Sequence, residues 1–228
     1  MPSAESGVYV VVPAYNEEST IGAVVEDLRA AYANVLVVDD GATDGTHEVA
    51  KRAGAIVLRH VINRGQGAAL QTGMRLALLR GAEYIVTFDA DGQHRVEDIA
   101  RLLEPIRAGQ CDIALGSRFL SDESKVPAGR RLMLRCAVWF TRIVHRMPLT
   151  DAHNGLRAFS RRAAQRIDLK LDRMAHASEL IDQIRASGLP FREVPVVVRY
   201  TPYSLQKGQR LRGAFRIVLH YLLGRVLR

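Results

Sequence analysis

Short runs of β-branched and aliphatic residues recur along residues 8–120, each followed by a stretch whose apolar positions return with helical spacing. "VYVVVP", "NVLVVDD", "AIVLRH", "YIVTFDAD" and "CDIALGS" read as strands. "EESTIGAVVEDLRAAY", "TDGTHEVAKRAG", "GQGAALQTGMRLALLRG" and "VEDIARLLEPIRAG" read as the helices between them. Strands that alternate with helices of roughly 10 to 15 residues predict a parallel sheet covered on both faces. The near-continuous Val/Ile/Leu runs suit its central strands.

Past Phe119 the pattern changes. "LSDESKVPAGRR" reads as a loop and "RLMLRCAVWFTRIVHRM" as a basic amphipathic helix. "GLRAFS" predicts a short strand and "HASELIDQIRASG" a helix. "FREVPVVVRY" predicts a strand that Pro195 restricts to an edge or a bulge. The chain closes on "LRGAFRIVLHYLLGRVLR", whose apolar stripe Leu211, Phe215, Val218, Leu222 and Val226 is flanked by arginines. That helix suits a membrane interface or the protein's own core equally. The expected organisation is a single α/β domain over residues 1–205, with halves of about 8–120 and 121–205, followed by a basic helix over 206–228.

Composition narrows the setting. The chain has 228 residues, 48% hydrophobic and 25% charged, an ordinary globular balance that can bury a large core. Its two cysteines, Cys111 and Cys136, lie in apolar contexts and read as free thiols of a reducing compartment. No signal peptide and no spanning helix is expected, which places the protein in the cytoplasm, peripheral on the inner face of the membrane. The net charge is +8, and no acidic residue follows Glu193. Such a basic end suits an anionic partner, a membrane surface or a phosphate.

Ligands of open parallel sheets bind at the carboxyl ends of the strands. The segment there after the first strand, "PAYNEES", offers Tyr15 for stacking, and Asn16 and Glu17 as acceptors for a base or ribose. The second strand ends in consecutive carboxylates, Asp39 and Asp40. "NRGQGAALQTG" follows the third strand and is a candidate phosphate cradle. It matches neither the dinucleotide-binding nor the Walker glycine pattern, which excludes both of those folds. "DADGQH" follows the fourth. Asp89 and Asp91 are hard oxygen donors that can share one Mg2+ or Mn2+, and such a cation would neutralise a departing nucleoside diphosphate. The acidic first loop argues against a nucleotidyltransferase, and no nucleic-acid-binding motif is present.

With "VVVPAYNEES", "VVDDGATDGT", "NRGQGAAL", "FDADGQH" and "GSRF" in this order, the chain resembles the family-2 glycosyltransferases of GT-A fold. The resemblance covers roughly residues 8 to 205. It is strongest to the polyprenyl-phosphate branch typified by dolichyl-phosphate mannose synthase. It implies a Rossmann-like, mixed and mainly parallel sheet, a UDP- or GDP-sugar donor and inversion at the anomeric carbon. Pro13, Tyr15, Glu17, Asp39, Asp40, Gly67, Asp89 and Ala90 would then line the nucleotide, with Asp40 on the base or ribose. Asp89, Asp91 and Gln93 would hold Mg2+ or Mn2+. Arg118 would reach a phosphate or the acceptor, aided by Arg131 and Lys207.

The second half follows the pattern less closely. "TDAHNGLRAFSR" resembles the branch's acceptor-side motif, which commonly ends in Gly–Phe–Arg, and here Gly155, Leu156 and Arg157 stand in those places. Asp151 would be a general base for a hydroxyl acceptor, or an orienting group beside a phosphate acceptor, which needs no base. "YTPYSLQKGQR" lacks the branch's Gly–x–Ser, so Arg130, Arg131 and Arg135 would have to supply the missing phosphate contacts. His176 and Glu179 share a helix face without a third metal ligand, which leaves Glu179 to face the cleft. The expected acceptor is a polyprenyl phosphate, the alternative a hydroxyl of a glycan or lipid-linked saccharide.

Overall fold

Residues Val8–Ala14 form strand β1, every one of them buried. Burial on both faces explains the unbroken valine run. Ala14 accepts from the Asp40 N–H on the β2 side and Val11 from the Phe88 N–H on the β4 side. The backbone of Pro13 therefore faces β4, beyond that strand's last residue, Thr87. The N–H that proline lacks would have met no ladder partner, so β1 runs through Pro13 instead of stopping there.

The structure is a computed structural model that describes residues 7–121, 146–152, 154–170 and 176–200, with scattered positions between 123 and 142. Strands β2 (Asn34–Asp39), β3 (Ile56–Arg59), β4 (Tyr84–Thr87), β5 (Ile113–Ser117), β6 (Arg157–Ser160) and β7 (Phe191–Pro195) join β1 in one sheet of order β3-β2-β1-β4-β6-β5-β7. All pairings are parallel except those of β6, which runs antiparallel to both β4 and β5. β7 is an edge strand and ends at Pro195, as the proline requires.

Helices α1 (Ile21–Ala31), α2 (Thr46–Arg52) and α4 (Glu97–Arg107) cover one face of the sheet. Helices α3 (Gln66–Leu79), α5 (Arg161–Ala164) and α6 (His176–Ser187) cover the other. α1 shows why: Ile21, Val24, Val25 and Leu28 are its buried residues, at i, i+3, i+4 and i+7. Each such side chain contributes about 1.5–3 kcal/mol on burial. Within β1, Val8, Val10 and Val12 pack under α1 while Tyr9 and Val11 pack under α3. The fold is thus a mixed, mainly parallel α/β layer structure: the periodicity predicts the layers and the parallel strands, and the resemblance the mixed sheet.

α2 is shorter than the predicted "TDGTHEVAKRAG": it starts after Gly45, and just before it the Asp44 carboxylate accepts from the Thr46 N–H at 3.0 Å in a turn. Arg131, Leu134, Arg135, Val138, Trp139 and Arg142 are helical, in keeping with the amphipathic helix expected there. The predicted helix over 206–228, with Lys207, lies outside the described residues, as does Arg130. Among the described residues no helix is long and apolar enough to cross a membrane.

Candidate active site at the carboxyl ends of the strands

The antiparallel course of β6 builds the site. Arg157, its first residue, pairs with Thr87 on β4 and Leu115 on β5. The loop entering β6 therefore arrives at the carboxyl edge, between the tips of β4 and β5. The Thr87 hydroxyl donates to the Gly155 carbonyl at 2.6 Å and fixes the loop to β4. A Cβ on Gly155 would lie 2.1 Å from Asp89 Oδ2, so only glycine lets the loop lie this close to the carboxylate.

Asp89 is held from two sides. Gln66 Nε2, at the first position of α3, donates to Oδ1 at 3.0 Å. His94 Nε2 lies 3.1 Å from Oδ2. Burial works to raise the Asp89 carboxyl, yet the His94 hydrogen bond and the charges of His94, Arg157 and His176 prevail and hold it below the usual carboxylate range. Asp91, two residues on across Ala90 and just before Gly92 (φ 71°), is pushed the other way, to about 6. Burial is the larger cause, followed by the negative charge of Asp89, with Glu17 adding to it. The Gln93 N–H donates to Asp91 Oδ1 at 3.1 Å, and the Gln93 carbonyl accepts from the Arg199 N–H at 2.8 Å.

The β1 loop thus supplies a third carboxylate near the pair. Glu17 Oε2 accepts from the Thr20 hydroxyl, and its N–H donates to Thr46 Oγ1. Tyr15 is exposed, whereas Pro13, Gly67 and Ala90 are buried in the walls. Asp39 is fully buried: Oδ1 accepts from the Ala42 N–H at 2.7 Å, and Oδ2 sits 3.3 Å from Arg59 Nε. Asp40 Oδ1 accepts from the Arg64 N–H at 3.0 Å and meets His60 Nδ1 at 2.7 Å, while Oδ2 accepts from the Gly65 N–H. These contacts hold the β3–α3 loop in its turn and compete with the contact to a base or ribose expected of Asp40.

At the β5 tip, Arg118 and Asp151 form a buried ion pair. Arg118 Nε donates to Asp151 Oδ2 at 2.6 Å and the Arg118 backbone N–H to the same oxygen at 3.1 Å. Arg118 Nη1 also donates to the Tyr200 hydroxyl at 3.3 Å. Burial opposes the Arg118 charge, but Asp151 and Tyr200 outweigh it and raise the guanidinium further. Arg157, buried between Asp89 and Asp151, is lowered by burial against their attraction. Arg131 is exposed. His176 and Glu179 are both buried at the start of α6, and Glu179 Oε2 accepts from the Lys170 N–H at 3.0 Å. Sequence reasoning left His94 and Gln66 without roles; Gln66 donates across 23 residues of chain, whereas His94 stands five residues from Asp89 in the same turn and was within reach of a local reading. A cavity of about 440 Å³ lined by Glu83, Cys111, Asp112 and Arg162 opens at the opposite end of the sheet, and its Asp112 and Arg162 pair with each other.

A mainly parallel sheet with this strand order, paired carboxylates after β4 and an arginine after β5 defines the GT-A class of glycosyltransferase. Glucosyl-3-phosphoglycerate synthase of Mycobacterium tuberculosis, solved with Mn2+ and UDP-glucose, has the same fold: TM-score 0.74 at 21% identity, over 97% of this chain and 79% of that one. The chain belongs to glycosyl transferase family 2, whose profile matches residues 9–168. It is 32% identical to UDP-N-acetylglucosamine–dolichyl-phosphate N-acetylglucosaminyltransferase of Methanococcus voltae, over 98% of this chain and 99% of that protein. It is 31% identical to polyprenol monophosphomannose synthase of Mycolicibacterium smegmatis, over 95% and 88%.

Proposed function

We propose that this glycosyltransferase moves a sugar from a UDP- or GDP-sugar to a polyprenyl phosphate at the cytoplasmic face of a membrane, with inversion at the anomeric carbon and with Mg2+ or Mn2+. The observation that carries the acceptor is the Arg118–Asp151 pair. A hydroxyl acceptor needs a base to take its proton. Asp151, the carboxylate that would serve, is buried and bonded to Arg118. A phosphate acceptor arrives as an anion and needs an immobile positive charge instead. The two relatives named above carry dolichyl-phosphate and polyprenol monophosphate in their names and support the same reading.

The residues fit a divalent cation. Asp91 is pushed up to about 6 by burial and by Asp89, a strain that a nearby cation relieves. Among the described residues no group of three His, Cys, Asp or Glu side chains closes a metal site. That suits a cation that shares its sphere with Gln93, substrate phosphate and water. When bound, it would neutralise charge on the diphosphate as the sugar bond breaks. Asp89 and Asp91 would hold it. Tyr15 and Glu17 would flank the nucleoside. Arg118, kept cationic and oriented by Asp151, would place the attacking phosphate oxygen opposite the leaving diphosphate.

The test incubates purified protein with a panel of UDP- and GDP-sugars, Mg2+ or Mn2+, and, as acceptors in parallel, undecaprenyl or dolichyl phosphate and glycans or lipid-linked saccharides with free hydroxyls. Transfer of label to the lipid phosphate that stops with chelator is the expected result. Labelling only of glycan hydroxyls would overturn the acceptor, and full transfer in chelator would overturn the cation.

A further inference from the structure

Asp89 is restrained more tightly than a ligand on a turn needs to be, and two of its restraints come from residues with no other visible task. Gln66 reaches Oδ1 from the start of α3, which the Asp40 carboxylate anchors through the neighbouring Gly65 N–H. His94 reaches Oδ2 from below. Its side chain is 3% exposed, packs edge-on to Phe88 at 5.6 Å, and leaves Nδ1 buried with no hydrogen-bond partner among the described residues. A buried ring nitrogen without a partner is a cost that packing alone would have removed by an apolar residue. Among the described residues, the hydrogen bond to Asp89 is the polar contact that the His94 side chain makes. Gly155 closes the third side, where any larger residue would strike the carboxylate.

These contacts use one lone pair on each Asp89 oxygen, so neither oxygen is free to swing. Asp91 differs: among the described residues its Oδ1 accepts the nearby Gln93 N–H alone. We propose that Gln66 and His94 are positioning residues of the cation site. They hold Asp89 in one rotamer with one lone pair per oxygen facing outward, so the pair forms a prebuilt seat into which Asp91 closes. Partners of this outer kind fix a ligand's orientation, and losing one weakens metal affinity about 10- to 100-fold. The inference rests on the cation reading above.

The experiment measures Mn2+ affinity of the purified protein by the loss of the free-ion electron paramagnetic resonance signal, without any substrate. His94→Ala and Gln66→Ala are expected to weaken Mn2+ binding at least tenfold. His94→Gln, which places an amide donor near the position of Nε2, should recover most of it, whereas His94→Leu, which fills the space without a donor, should not. In an Asp89→Asn background His94→Ala should add nothing further. Far-UV circular dichroism and melting of each variant in chelator separate folding from seat geometry, and Gln66, half-buried at a helix start, provides the variant least disturbing to the fold. Mn2+ affinity within twofold of the parent in both Gln66→Ala and His94→Leu would overturn the inference. Failure of the unaltered protein to bind Mn2+ would overturn the cation reading itself.

Discussion

Removing the charge of Asp91 should stabilise the metal-free protein while abolishing its cation site. The fold raises this carboxyl from 3.8 to about 6. Each unit of pKa corresponds to about 1.4 kcal/mol, so keeping Asp91 ionised costs the metal-free fold about 3 kcal/mol. The sign follows from the proton. A folded-state pKa above the unfolded one means the fold binds this proton more tightly, so its stability falls as pH rises from about 4 to about 6 and stays lowered above that. Asp91→Asn keeps an oxygen for the Gln93 N–H and removes the charge. The side chain is half-buried, and solvent screening leaves a gain of about 1–2 kcal/mol. For a domain of this size that is a Tm rise of roughly 2–8 °C.

The assay is thermal or urea unfolding of both proteins in chelator, at about pH 4 and about pH 8. The variant should be the more stable at the higher pH and equal at the lower. Saturating Mn2+ should reverse the order, because a ligand at a hundred times its Kd adds about 2.7 kcal/mol to the parent and nothing to a variant that cannot bind it. A variant no more stable than its parent at about pH 8, or equally stabilised at both pH values, would refute the claim that Asp91 is strained by burial and by Asp89.

Other outcomes follow from single contacts. Gly155→Ala places a Cβ 2.1 Å from Asp89 Oδ2 and should cost about 1–3 kcal/mol with a clear loss of Mn2+ affinity; a variant that melts and binds like its parent would disprove the close approach. Arg118→Ala removes the guanidinium paired with the Asp151 carboxylate, which is 4% exposed, and should lower stability by about 3–5 kcal/mol in urea unfolding. Asp40→Ala frees the Arg64 and Gly65 N–H groups and His60, so about 2–3 kcal/mol should be lost and UDP and GDP affinities should fall alike; a change in the ratio of the two would instead put Asp40 on the base. Trp139, the only tryptophan and 68% exposed, should show a blue-shifted emission on anionic vesicles if its helix meets the membrane, and an unshifted spectrum would count against that surface.

The layer structure was legible because burial writes itself into the chain at short range. "VYVVVP" can only be a strand buried on both faces, and Ile21, Val24, Val25 and Leu28 can only be one stripe of a helix. The carboxylates after β4 were legible for the same local reason: a strand ends and two acids follow. The direction of β6 was not. "RAFS" carries the pattern of a strand and no sign of which neighbours it joins, and its antiparallel entry between β4 and β5 depends on pairings about 45 to 75 residues distant.

The same limit governs the site. Asp40 and Asp91 are alike in sequence, each an acid just past a strand. In the fold, Asp40 is spent on N–H groups 24 and 25 residues further on, while Asp91 faces Asp89 and Glu17 and rises to about 6. Composition cannot separate a carboxylate already satisfied by backbone donors from one that still needs a partner, because the difference lies wholly in what the tertiary structure brings to it. Strain is the discriminating quantity. The fold raises Asp91 through burial and the charge of Asp89, a cost that a cation there would relieve, whereas Asp40 already accepts from the Arg64 and Gly65 N–H groups. By that criterion we place the proposed cation seat at the β4 turn, with Asp40 holding the start of α3 from which Gln66 reaches Asp89.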